Sequence, residues 1–449
     1  MTPKLRLAAG IAVIAALLVW SVGRMAADPS SLPVRDFVEY YSAGSVFLAG
    51  GNPYSGPELV EVQRRVLNQP DLDDATMMWN PPWVLTFVTP FATLPLGAAH
   101  KLWMLVQLLS VFVSVWLLWR VYGGPPGREW IGWALAATFP PVLFVVWWGQ
   151  IGGLVLLGLA GYLYHASKGR YAVAGLFAAL TAIKPHLLFA FGLVLVLEAF
   201  RSNRGRRAVL AGGLAVAAMA VGAAVIHPGV YECYRSADWE ASSAVNVSPK
   251  DWIQPLLSYW LRVAVDPNRF VIQFVPTVVA AVGVAGYWWR RRATWDWPAE
   301  TPRLVFVSVL TAAYGAWLFD LVVLLVPATQ ATAVVLARTA RPTPHGKRRA
   351  NFATQLGLLY ALVVSFVVYL PTFGLTPLTG HTVGLHYYVW FAPAVLGFYV
   401  AALRLGRPYS SPRDAGQLVG GPEVPTEPSD GVARHGRRPV AVQTVDVST

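Results

Sequence analysis

Three ionisable side chains stand where an apolar chain can least accommodate them, and their types suggest one kind of chemistry. Asp36 opens the segment RDFVEYYSAGSVFLAGGNPYSGPE, Lys184 lies in TAIKPHLLFAF between two apolar stretches, and Asp320 interrupts YGAWLFDLVVLLVP. A fixed carboxylate beside a lipid-facing cleft can take the proton of an attacking hydroxyl, which is general-base work. An ammonium at membrane depth is costly and marks a pathway or a binding site, and beside a helix broken by Pro185 it suits a phosphate. Each has a plainer role as well: Asp36 as a helix cap, Lys184 snorkelling to the interface, Asp320 as a charge at a helix start. Asp320 could also orient a ligand hydroxyl or pair with Lys184. His186, His381 and His386 fall on the same predicted side as weaker candidates.

These charges need elements to hold them. Asp36, Tyr40, Ala43 and Phe47 share one helical face, with Phe37, Tyr41 and Gly44 beside it, so the spacing predicts a short interfacial helix ending at Gly50-Gly51. The other elements follow from composition. The chain of 449 residues is 55% hydrophobic and only 13% charged, with 19 Trp, 18 Tyr and 20 Phe, and its mean hydropathy is +0.49. That balance excludes an ordinary soluble enzyme and a disordered chain, and implies an all-α polytopic membrane protein. Apolar stretches recur near 97–119, 130–148, 152–166, 171–183, 186–200, 208–226, 270–289, 303–318, 321–337, 353–370 and 387–403. With residues 7–23, which follow Lys4 and Arg6 and read as a first span or a cleaved leader, they predict about twelve crossings.

Residues 81–95 are apolar too, but Pro81, Pro82, Pro90 and Pro95 punctuate them, and they read as a re-entrant or interfacial piece on the outer side. With that segment left out of the count, most of the 35 Lys and Arg fall in inner loops, while more than half of the 23 Asp and Glu lie on or near the outer side. Both termini are then cytoplasmic, and chemistry is expected outside. A membrane domain over 1–404 carries two long outer loops, 24–96 and 227–269, and the Pro-, Gly- and Ser-rich remainder 405–449 reads as a disordered cytoplasmic tail. The +12 formal charge is then a matter of membrane sidedness, and no nucleic-acid partner is expected.

Other motifs offer little. A single cysteine, Cys233, rules out an internal disulfide or a CxxC site, and no P-loop, HExxH or GxSxG is present. DLDD at 71–74 matches a metal-binding DxD only superficially, and no metal or other cofactor is expected. Asn246-Val247-Ser248 fits a glycosylation acceptor weakly.

Taken in order, five strings resemble the membrane glycosyltransferases of family 87, which have a GT-C fold and include polyprenol-phosphate-mannose-dependent α-mannosyltransferases. They are Asp36, Tyr40, Ala43, Gly50, Pro53 and Tyr54 in the first loop; Asn80-Pro81-Pro82 with the run to Pro95; Trp148-Gly149-Gln150; IKPHLL at 183–188; and DLVVLLVP at 320–327. The resemblance implies a sugar on a polyprenyl-phosphate donor, mannose foremost, and inverting transfer on the non-cytoplasmic face of the plasma membrane to a glycan or glycolipid. It implies an aspartate base in the first outer loop, which is Asp36 here. Substrate contacts are expected from Glu39, Tyr40, Tyr54, Gln150, Lys184, His186, Asp320, His381 and His386. Three places differ from the common pattern: Ala312 to Trp317 keep only the Trp of a frequent SP-x-SW motif, Phe319 stands where a hydrogen-bonding residue often precedes the aspartate, and Asn80 stands where Tyr is frequent. The alternative from another class is a transporter or flippase of lipid-linked sugars, which would also need midplane charges and broken helices.

Overall fold

The computed structural model describes residues 36–237, 257–313, 316–339 and 391–405. The first apolar stretch, the stretch at 353–370, His381, His386, Asn246-Val247-Ser248 and the C-terminal tail lie outside the described residues. Those described are helical, and they fall within one unit, Met1–Gly406.

Helix α1 (Phe37–Leu48) is followed by α2 (Gly56–Leu67), whose N-cap Ser55 accepts from the Glu58 amide. A 3-10 turn, Pro82–Val84, leads into α3 (Leu85–Ala92). Together these eleven residues rise about 16 Å, half of what an apolar bilayer core requires. Helix α1 packs against α3, and it does not lie with one face in the lipid interface as its spacing predicts. Phe37, Val38, Tyr40, Tyr41, Ala43, Val46 and Phe47 are all buried. A helix with apolar residues around most of its circumference is stable when those faces are enclosed, and here only Glu39, Ser45 and Leu48 keep some exposure.

Helix α4 (Leu96–Val121) is a full crossing. Next come α5 (Glu129–Thr138) and α6 (Pro140–Trp148), which bend by 60° because Pro140 and Pro141 interrupt the ladder. Shorter helices follow: α7 (Gly152–Ser167), α8 (Tyr171–Ala179) and α9 (Phe189–Arg201). The long α10 (Asn203–Ile226) precedes two short helices, α11 (Val230–Arg235) and α12 (Leu257–Val265). The set closes with α13 (Phe274–Arg291), α14 (Trp297–Thr311), α15 (Leu325–Thr339) and α16 (Phe391–Leu405).

Among the described residues four helical segments, Leu96–Val121, Asn203–Ile226, Phe270–Thr294 and Asp320–Ala337, are long and apolar enough to cross a bilayer, and the bent α5–α6 pair makes a fifth. The stretches predicted at 152–166, 171–183 and 186–200 fold as helices with about those bounds, each shorter than a full crossing, the last two separated at Lys184-Pro185. Helix α7 lies against α4 and α8, and α8 against α10. The α8–α10 approach is close enough that a Cβ at Gly175 would strike the Ala208 carbonyl, the small-residue contact on which membrane helices rely. The outside is apolar: Leu214 is 70% and Val225 76% exposed on α10, and Val282 69% on α13. Such bands on long helices suit hydrocarbon as the solvent.

Candidate active site

Four breaks in regular structure converge on one buried polar cluster. The first follows α6. Gly149 adopts φ +70, letting the Gln150 amide donate back to the Val145 carbonyl at 2.9 Å in a helix-ending turn. No side chain fits at 149, because a Cβ there would stand 2.6 Å from the Phe37 Cβ. The Gly149 carbonyl accepts from the Trp103 indole at 2.6 Å, and the Asp36 amide donates to the Trp148 carbonyl at 3.1 Å. Asp36 and Gln150 are thereby pinned side by side.

The second break is at Lys184. Pro185 has no N–H and disfavours helical geometry before it, and Lys184 sits at φ −131, ψ 73 between the 3-10 turns Leu180–Ile183 and Pro185–Leu188. Two carbonyls freed by the break find side-chain donors on the Pro-rich segment. Asn80 Nδ2 donates to Ile183 O at 3.1 Å, and Trp83 Nε1 donates to Ala182 O at 3.1 Å. The third break precedes α15, where Asp320 opens the 3-10 turn Asp320–Leu324. The fourth is the start of α1, where Asp36 occupies the cap position without its side chain making a cap bond.

Gln150 is the centre of the cluster. Its Nε2 donates to Asp36 Oδ2 at 2.7 Å and approaches Glu39 Oε1 at 3.5 Å. Its Oε1 accepts from the Tyr40 hydroxyl at 2.9 Å and from Lys184 Nζ at 3.1 Å. Lys184 Nζ also donates to Asp320 Oδ1 at 2.7 Å, and Asp320 Oδ2 accepts from the Trp317 amide at 3.2 Å. Nζ lies 4.9 Å from the Phe319 ring centroid, a cation–π contact. Lys184, Gln150, Tyr40 and Asp320 are buried, while Asp36 and Glu39 are half-buried.

The predicted residues divide accordingly. Asp36, Glu39, Tyr40, Gln150, Lys184 and Asp320 come together, and His186 stands beside them within electrostatic range of Asp320 and Lys184. Tyr54 does not join the cluster. Its hydroxyl donates to the Asn80 carbonyl at 2.9 Å and its ring stacks edge-on against Tyr234, so it supports Asn80 from behind. Sequence reasoning named Asn80 only as part of a motif and passed over Trp83 and Trp103, whose roles depend on carbonyls that become available only once the helices have broken. Asp71, Asp73 and Asp74 lie exposed in a loop, and among the described residues no group of three His, Cys, Asp or Glu gathers as metal ligands would.

The cluster pairs a carboxylate, able to accept a proton, with a cation, able to hold an anionic leaving group. The sequence model of glycosyltransferase family 87 matches residues 79–319. The chain belongs to glycosyltransferase family 87. The match covers Asn80, Gln150 and Lys184, ends one residue before Asp320, and begins after Asp36, Glu39, Tyr40 and Tyr54. No curated protein and no solved structure matches the chain. Membership of family 87 makes this a glycosyl-transferring enzyme, and with the long apolar helices it marks a membrane protein. The transporter alternative gives way to it.

Proposed function

We propose that the enzyme moves a sugar, mannose foremost, from a polyprenyl phosphate to a hydroxyl of an extracytoplasmic glycan or glycolipid in the plasma membrane, with inversion. The observation that supports this reading is the Gln150 amide, which joins a carboxylate at Asp36 to an ammonium at Lys184. In one displacement the acceptor oxygen attacks the anomeric carbon as the carbon–phosphate oxygen bond breaks. The acceptor proton goes to Asp36, and the bonding electron pair goes to the departing polyprenyl phosphate. Lys184 faces the charge that develops on that phosphate, and Asp320 holds the ammonium in place when no donor is bound. In this scheme the lipid-linked sugar is the co-substrate and Lys184 supplies the cationic stabilisation.

The outward-facing site and the cytoplasmic termini belong to the same proposal. It accounts for the placing of Arg120, Lys168, Arg201 and Arg290–Arg292 at helix ends remote from the cluster. The test is to give purified protein in lipid a set of radiolabelled polyprenyl-phosphate sugars with cell-envelope lipids and glycans. Label should move from the mannosyl donor to a lipid or glycan acceptor, and should not move from nucleotide sugars. Transfer from a nucleotide sugar alone would overturn the reading.

A further inference from the structure

Asp36 and Glu39 both approach the Gln150 amide. Gln150 Nε2 lies 2.7 Å from an oxygen of the first and 3.5 Å from an oxygen of the second. The amide's oxygen is already used by Tyr40 and Lys184, and the ammonium of Lys184 is already held by Asp320. Among the described residues the cluster gathers the carboxyls of Asp36, Glu39 and Asp320 around Lys184, and under the proposed transfer it must still admit a phosphate. Two carboxylates close together out of water do not both ionise readily, and they share a proton as a pair.

The other elements around Glu39 do not relieve this. Helix α3 carries no titratable side chain, and α2 meets α1 through Gln63, which donates to Ser42. His100 of α4 is taken up by stacking on Phe37, and His186 stands on the Lys184 turn. Removal from water and the charge of Asp36 raise the Glu39 carboxyl well above the ordinary carboxylate range, against the opposing pull of Lys184, Tyr40 and Gln150.

From this geometry we infer that Glu39 carries the proton of the Asp36–Glu39 pair at neutral pH and is a positioning residue. It leaves Asp36 as the ionised base, and it keeps the site from repelling the donor phosphate. The inference rests on the proposed transfer for its catalytic meaning, but its proton can be observed without turnover.

Infrared spectroscopy of the full-length protein in lipid should show a protonated carboxylic acid at neutral pH. That band should vanish in Glu39→Gln and persist in Asp36→Asn. With a working donor, Glu39→Ala should lose about tenfold in kcat, and Glu39→Gln should recover most of it, because the amide has the shape of the protonated acid. The alkaline limb of the wild-type pH profile, where the pair gives up its last proton, should be absent in Glu39→Gln. A band unchanged in Glu39→Gln, or a glutamine variant as slow as the alanine one, overturns the inference. Failure of every polyprenyl donor would instead count against the proposed transfer and leave the infrared result to decide this one.

Discussion

At Asp36 the cap position is occupied but the cap bond is not made, so the carboxylate is available to Gln150. Asp36→Asn keeps the shape and loses the base, and should lower kcat by about 100-fold to 10,000-fold with normal expression. Lys184 invites a different test, because Asp320 is 1% exposed and would be left with a buried charge. Lys184→Met should destabilise by about 3–5 kcal/mol, and adding Asp320→Asn should restore part of the loss; thermal unfolding in detergent reads both. Glu39 has a raised carboxyl pKa in the native state, so its contribution to stability is complete below the ordinary value of 4.5 and is lost as pH rises through the native one. Glu39→Gln should therefore melt progressively higher than wild type as pH rises, and the two should agree in acid. The sequence shows Asp36, Lys184 and Asp320 because charge in an apolar setting demands a reason. It singles out Gln150 through its motif but does not show that one amide serves both carboxyls, which depends on the turn at Gly149.

At the scale of elements, the breaks matter more than the helices. Gly149→Ala would force a left-handed backbone and a collision with Phe37 together. It should cost about 1–3 kcal/mol and displace both Asp36 and Gln150, which appears as a lower melting temperature with a lower kcat. Asn80→Ala frees the Ile183 carbonyl and loosens the turn that carries Lys184. Its expected signature is a higher KM for the lipid donor with a smaller change in kcat, measured against Trp83→Phe as a second route to the same turn. Hydropathy located α4, α10 and α13 well, because full-length apolar runs leave little choice. It misjudged α1, whose spacing resembles a surface helix although Val38, Ser42 and Val46 on its other side are buried as well. It also placed α7, α8 and α9, whose bounds follow the stretches 152–166, 171–183 and 186–200 within a few residues, but it could not show that the break at Lys184-Pro185 is built of two 3-10 turns.

For the whole molecule, sidedness is the open physical variable. With Cys233 replaced by serine, a cysteine at Asn68 should react with an impermeant thiol reagent applied from outside intact cells, and one at Arg206 should react only after permeabilisation. The reverse pattern would turn the site inward. The chain of contacts from Asp320 through Lys184 and Gln150 to Asp36 has a consequence for selectivity. An unloaded enzyme has its lysine already satisfied, so an incoming anion must pry apart a native ion pair before it gains anything. Inorganic phosphate brings only its charge to that contest, whereas an isoprenoid ligand also brings a tail whose burial between helices can drive the exchange. The resting protein should therefore be deaf to millimolar buffer phosphate yet respond to dilute lipid.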